Sequence, residues 1–319
     1  MAVLVGIDEA GFGPILGPLV VSSTAFSLPR SLLTADLWKI LRKSVYPKRK
    51  HLAGRLLITD SKKAYSRSSG IKQLERTVLA SLQCLDKTAY TLTELLEHLC
   101  PDCMGRLKDY PWYRDAAAYA ISPDSSDLAI ASSVLKNNLA SNGMELLSIC
   151  SCCLDVAYYN KMVTNVRNKA SVLFTATSRL IKQAFDTFTG QDIQIVVDRQ
   201  GGRVHYRKVL RRMFAEMELK ILQETPSHSS YELRTAGRLM RLHFAVAADE
   251  RFLPVSLASM VSKYLRELLV DNINAYFAGF NPGLLPTAGY WKDGLRFIED
   301  LKTSLPHVQL DTERLIRCR

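Results

Sequence analysis

The apolar run Val3-Leu4-Val5-Gly6-Ile7 ends in two adjacent carboxylates, Asp8 and Glu9, and passes at once into Ala10-Gly11-Phe12-Gly13-Pro14. The run predicts a short buried strand over residues 2–8. Gly6 within it leaves room for another backbone to come close. Carboxylates at the end of a buried strand are costly unless ionised and paired, and a divalent cation is a usual partner. A solvated strand end followed by a loop would account for a bare Asp-Glu pair. The longer string demands more. Gly11, Gly13 and Gly17 with Pro14 and Pro18 define a rigid turn poor in side chains, where a backbone can approach a phosphate or sugar.

The charge of the chain points the same way. Its 319 residues carry a net charge of +11, unevenly placed. Residues 30–76 hold 13 Lys and Arg against Asp36, Asp60 and Glu75, a local balance of +10. Arg199, Arg203, Arg207, Lys208, Arg211 and Arg212 follow with no acid among them. Residues 81–160 run the other way, with five basic and ten acidic side chains. Such clustering suits a polyanion surface, although a solvated basic face would also produce it.

With 47% hydrophobic residues the chain has enough apolar matter for a full core. No stretch reaches the roughly 18 apolar residues of a membrane span. The N-terminus lacks a basic region, and its apolar run stops at Asp8, so a soluble cytoplasmic protein is expected. The seven cysteines, an odd count, suggest reduced thiols. Cys100-Pro101-Asp102-Cys103 with Cys150, Cys152 and Cys153 would suit tetrahedral zinc. The alternation of Cys150 and Cys152 on a predicted strand equally suits core packing.

Further strands are expected at 17–27, 56–59, 146–156 and 193–197, and shorter ones at 219–223, 231–234 and 239–245. Helical spacing marks 70–82, 161–188, 254–277 and 294–301. Strands followed by alternating helices and strands predict an α/β or α+β sheet. Residues 84–144, with helical stretches at 91–99 and 125–141, are expected to form an insertion that covers a sheet edge, acts as a lid or docks a partner.

Asp8-Glu9-Ala10-Gly11-Phe12-Gly13-Pro14, followed by Gly17-Pro18-Leu19-Val20-Val21, resembles the opening motif of type-II ribonuclease H (ribonuclease HII). That motif usually reads Asp-Glu-Ala-Gly-Arg-Gly-Pro, so Phe12 stands where the arginine normally is. Asp198 ends a strand that resembles the family's third-carboxylate strand. Ala258-Ser259-Met260-Val261-Ser262-Lys263-Tyr264-Leu265-Arg266-Glu267 looks like its Ala-Ser-Ile-x-Ala-Lys-x-x-Arg-Asp helix, with Glu267 in the place of the aspartate. Asp271, one turn on, is a further candidate. Thr59-Asp60-Ser61-Lys62-Lys63 resembles the Asp-Ser-Lys-Lys element, and Thr287-Ala288-Gly289-Tyr290-Trp291-Lys292 lies where the family has Lys-Gly-Tyr-Gly-Thr.

The resemblance implies a ribonuclease-H-like fold: a mixed central sheet flanked by helices in one domain, with the insertion 84–144 and a helical C-terminal part at 255–319. It implies a metal-dependent endonuclease that cleaves RNA in RNA–DNA hybrid or chimeric duplexes, leaving 5′-phosphate and 3′-hydroxyl ends. Asp8, Glu9, Asp198 and Glu267 would hold Mg²⁺ or Mn²⁺, since oxygen donors without His or Cys suit those ions better than zinc. Lys62, Lys63 and Lys263 would hold phosphates, and Gly11, Phe12, Gly13 and Tyr290 would face the RNA–DNA junction. Glu267 and Lys263 would also make an ordinary i,i+4 helical pair. Two other readings remain open: a nuclease of the same fold with another target, such as structured DNA, and a nucleic-acid binder without turnover.

Overall fold

The computed structural model describes residues 1–65, 70–114, 119–121, 124–235 and 237–318. Its strands are β1 (Ala2–Ala10), β2 (Leu19–Leu28), β3 (Val45–Tyr46), β4 (Leu56–Leu57), β5 (Glu145–Leu154), β6 (Asp192–Asp198), β7 (Glu218–Glu224), β8 (His228–Thr235) and β9 (Arg238–Ala245). Its helices are α1 (Leu37–Ile40), α2 (Ser61–Ala64), α3 (Lys72–Gln83), α4 (Leu92–Leu99), α5 (Met104–Leu107), α6 (Ser125–Ser141), α7 (Val156–Val166), α8 (Lys169–Thr187), α9 (Arg207–Met213), α10 (Leu253–Phe280), α11 (Trp291–Ser304) and α12 (Thr312–Leu315).

Seven strands form one mixed sheet in the order β5-β2-β1-β6-β9-β8-β7. β5 pairs antiparallel with β2 and β2 antiparallel with β1, while β6 pairs parallel with β1 and β9 parallel with β6. The hairpins β9-β8-β7 extend the far side. This is the mixed α/β sheet flanked by helices that the resemblance implies.

Alternation along β1 sorts its side chains between two cores. Val3, Val5 and Ile7 pack into a layer with Leu173, Leu180 and Phe185 of α8. Leu4 packs into the opposite layer, built around α10. Gly6 shares that second face, and a methyl group built on it would collide with the backbone of Pro254 and Val255. The glycine thus seats the first turn of α10 directly on the strand. Thr24 of the neighbouring strand fixes the contact by donating its hydroxyl to the Pro254 carbonyl at 2.7 Å. α10 reads apolar around most of its circumference, and it is buried accordingly between the sheet on one side and α3 and the 3₁₀ turn Pro111–Tyr113 on the other. Of the segment 84–144, residues 115–118 and 122–123 lie outside the described residues.

Three elements differ from the sequence-based expectation. The strand expected at 56–59 shrinks to Leu56–Leu57 and pairs with β3 in a separate two-stranded sheet. The helix expected over 161–188 is two helices. Arg167 takes a left-handed conformation (φ 50°) that ends α7, and the Asn168 side chain accepts from the Ser171 amide to start α8. The basic run at 207–212 is itself a helix, α9, with Leu210 buried beneath it. No helix among the described residues is long and apolar enough to cross a membrane.

Candidate active site at the ends of β1 and β6

The parallel pairing of β1 with β6 sets Ile7 against Val197, so the next residues, Asp8 and Asp198, stand side by side where the strands end. Asp8 is 7% exposed and lies against α10, where Ser259 favours its ionised form. The Asp8 carbonyl accepts from the Ser262 hydroxyl at 3.0 Å, and its Oδ1 accepts from the Glu9 amide at 2.7 Å. Asp198 accepts from the Ala248 amide at 2.7 Å. That bond draws the 3₁₀ turn Ala248–Glu250 onto the end of β6 and carries Asp249 into the same place.

The electrostatics identify the members of the cluster. Burial, then the neighbouring Glu9 and Asp198 charges, hold the Asp8 carboxyl well above the ordinary carboxylate range. Burial and the Asp198 charge push Glu9 up to about 8. Asp198 is raised mainly by burial. Asp249 is pushed to about 6 by burial and then by Asp198. Lys62 is a cation that acts on Glu9, Asp198 and Asp249 together. It is placed there because Asp60 caps α2 by accepting from the Lys62 amide at 2.9 Å, and because Ser259 of α10 bonds Ser61 at 3.0 Å.

Glu267 is placed elsewhere. Its Oε1 accepts from Lys263 at 2.7 Å and from Arg266 at 3.0 Å. Its carboxylate is thus engaged by two cations of its own helix. The reason is helical geometry. Ser259 and Ser262 meet Asp8, and Glu267 lies a full turn or more beyond them. Asp271 is farther still and accepts from the Tyr119 hydroxyl. The fourth carboxylate at the cluster is Asp249, which sequence reasoning missed. Two signals could have found it: the Asp249-Glu250 pair just after an apolar strand, and the proline start of α10 immediately downstream.

Beside the acids lies a cavity of about 220 Å³, lined by Glu9, Gly11, Phe12, Gly13, Lys62, Lys263, Arg266 and Tyr290 among others. Gly11 has φ +93°, and a Cβ there would meet the Arg266 side chain and the Pro18 carbonyl at 2.7 Å. Arg266, 1% exposed, donates to the Ala288 carbonyl at 2.9 Å and sits 5.6 Å over the Tyr290 ring. It therefore ties the glycine turn to the loop that presents Tyr290, itself 49% exposed. Phe12 is half-buried, packs toward the α8 layer and has the Lys169 ammonium 5.3 Å from its ring. Lys263 lies 5.1 Å over the Tyr65 ring. Lys63 is held in an ion pair with Glu250, the residue next to Asp249.

Among the described residues, no group of three or more His, Cys, Asp or Glu side chains is arranged to hold a metal ion as it stands. The donor chemistry at the sheet end nevertheless suits one. Four crowded carboxylates, Asp8 buried and Glu9, Asp198 and Asp249 partly so, have Lys62 as a shared cation, and all their donors are oxygens, as a hard cation requires.

Fold and site together define a mixed α/β protein with an acidic cluster at the open end of its parallel strands, flanked by a glycine turn and basic side chains. No family model and no curated protein sequence matches the chain. Solved structures match over nearly all of it. The ribonuclease HII of Archaeoglobus fulgidus, in its complex with PCNA, aligns at 14% identity and TM-score 0.46, covering 99% of this chain and 94% of that one. Bst-RNase HIII in complex with Mn²⁺ aligns at 13% and 0.46, covering 99% and 66%. Ribonuclease H2 from Pyrococcus horikoshii OT3 aligns at 13% and 0.42, covering 98% and 92%. The sheet topology and the residues at its open end stand independently of these likenesses.

Proposed function

We propose that the protein is a metal-dependent endonuclease that cuts the RNA strand, or an embedded ribonucleotide, in RNA–DNA duplexes. The observation that carries this reading is the convergence of Asp8, Glu9, Asp198 and Asp249, held at raised proton affinity, beside a glycine turn that exposes backbone rather than side chains. Those four carboxylates would hold Mg²⁺ or Mn²⁺. Bound there, the ions would supply activation of a water and stabilisation of the leaving oxygen of an in-line displacement.

The rest is assigned to the chain's own residues. Lys62 balances part of the cluster's charge and contacts the phosphate. Lys263 supplies a second cation at the cavity wall, held in place by Glu267. The Gly11–Gly13 backbone approaches the sugar, where only the 2′-hydroxyl distinguishes RNA from DNA. Tyr290, backed by Arg266, offers a stacking face to the junction. Glu267 serves here as the counter-charge of Lys263 and Arg266 rather than as a metal ligand.

The test is cleavage of a labelled DNA duplex carrying one ribonucleotide, with Mg²⁺ or Mn²⁺, beside an all-DNA duplex, an RNA–DNA hybrid and the Asp8→Asn protein. Metal-dependent incision at the ribonucleotide, lost in the variant, supports the reading. Equal incision of all-DNA would replace it with a nuclease that does not read the 2′-hydroxyl, the alternative that Phe12 motivates. Binding without incision of any duplex would replace it with a non-catalytic binder.

A further inference from the structure

The Cys100-Pro101-Asp102-Cys103 turn plays no part in the acidic site. It lies against the sheet edge, where it meets β5. Cys100, Cys103 and Cys153 are buried together, at 2%, 1% and 2% exposure. The Cys103 and Cys100 sulfurs lie 3.5 Å apart. Arg106 pins the turn to the sheet. Its guanidinium donates to the Asp102 carbonyl at 2.9 Å, to the Cys153 carbonyl at 2.9 Å and to the Asp155 carboxylate at 2.6 Å. A cavity of about 210 Å³ opens onto the cysteines, with Arg106 and Arg179 in its wall.

We propose that Cys100 and Cys103 form a redox-active dithiol that a small hydroperoxide, entering by this cavity, oxidises to a disulfide. Geometry selects the pair. Both cysteines belong to one short turn, which closes the remaining ~1.5 Å to a sulfur–sulfur bond without moving the sheet. Cys153 is fixed by its strand pairing opposite Val20. The cavity also selects the oxidant. Thiols this buried admit a molecule the size of hydrogen peroxide and exclude a protein disulfide.

The chemistry balances in two steps. The Cys103 thiolate attacks one peroxide oxygen, the O–O bond breaks, and the other oxygen leaves as hydroxide and takes a proton to become water. The sulfenic acid on Cys103 is then attacked by the Cys100 thiol. A sulfur–sulfur bond forms and a second water leaves, so two thiols are oxidised and one peroxide is reduced. The environment supplies the nucleophile. The neighbouring Cys100 and Cys153 thiols, helped by the Arg106 charge, favour the thiolate on Cys103, while Cys100 and Cys153 are held above the usual thiol range.

The experiment is treatment of the full-length protein with a modest excess of hydrogen peroxide. Unreacted thiols are then alkylated and disulfide-linked peptides mapped by mass spectrometry without reduction. The expected result is loss of two of the seven thiols, a Cys100–Cys103 link, and full recovery with dithiothreitol. Cys153→Ser should keep the link. Oxidation confined to the exposed Cys318, or a link through Cys153 instead, would overturn the proposal. So would stoichiometric zinc in the purified protein that protects these thiols. Mapping of the wild-type protein decides the matter even where a cysteine variant fails to fold.

Discussion

A cluster of acidic side chains and a single glutamate lie near α10, and they are opposites. At the end of β1 and β6, Asp8, Glu9, Asp198 and Asp249 crowd together with Lys62 as a shared cation, and burial raises them all. Farther along α10, Glu267 has two cations to itself, Lys263 at 2.7 Å and the buried Arg266 at 3.0 Å. A carboxylate already paired in this way gains little from a metal. A buried cluster that repels itself gains a great deal. The contrast separates a site built to receive a cation from one that supplies structure to its wall.

The sharpest way to break the comparison is to neutralise one acid at each place. Asp249→Asn should lower ribonucleotide-directed cleavage by about 10³-fold, since losing a metal ligand removes several kcal/mol of transition-state stabilisation. Glu267→Gln should leave the cleavage rate of folded protein within about tenfold. It should instead destabilise the fold by about 2 kcal/mol, because Arg266 is left buried with a weaker partner. Kinetics and denaturant melts on the two variants decide this. A 10³-fold loss in Glu267→Gln with unchanged stability would return Glu267 to the metal-binding set.

Raised carboxylate pKa values also fix a pH dependence. Glu9 moves from 4.5 to about 8 and Asp249 from 3.8 to about 6 on folding. Between the unfolded and folded values the native chain holds protons that the unfolded chain has released. These groups therefore cost stability progressively as pH rises from about 4 to about 8. The metal-free protein should show a falling midpoint temperature over that window relative to Glu9→Gln, which lacks the Glu9 contribution. Mg²⁺ should restore stability most at the alkaline end, where it no longer competes with protons. A wild-type pH profile parallel to that of Glu9→Gln would mean that the cluster is not self-repelling.

Tyr290 offers a smaller effect. Its exposed ring under Arg266 is suited to stacking, and a lost base contact costs about 1–3 kcal/mol. Tyr290→Ala should raise KM for the junction substrate about tenfold with little change in fold stability. An unchanged KM, measured on the single-ribonucleotide duplex, would make Tyr290 an ordinary surface residue.

Much of this arrangement was legible in residue patterns, and the parts that were not share a cause. The strand carrying Asp8 and the one ending at Asp198 announce themselves by apolar runs, and Gly6 announces a close approach that the structure fills with Pro254. Glu267 was misleading because a motif gives spacing along a helix but not which turn reaches the sheet. Asp249 was invisible because it sits in a 3₁₀ turn that Asp198 recruits through the Ala248 amide, a contact 50 residues long. The break at Arg167 was hidden inside a continuous apolar stripe, where a left-handed residue leaves no periodic trace. Local periodicity reports the faces of elements; it does not report which loops those elements gather.

The smallest predicted effect concerns the positive charge at the glycine turn. Phe12 brings none, but Lys169, at the first turn of α8, holds its ammonium 5.3 Å from the Phe12 ring. An aromatic face attracts a cation electrostatically, by about 0.5–1 kcal/mol at an exposed site. Phe12 thereby orients a lysine from a different element toward the turn. If that lysine contacts the substrate backbone, Lys169→Ala should weaken duplex binding a few-fold equally for DNA and ribonucleotide-containing duplexes. It should also reduce the slope of log affinity against log salt by about one. Phe12→Leu, which keeps the packing and removes the ring, should move affinity in the same direction by less. A salt slope unchanged in Lys169→Ala would show that the turn binds through its backbone alone.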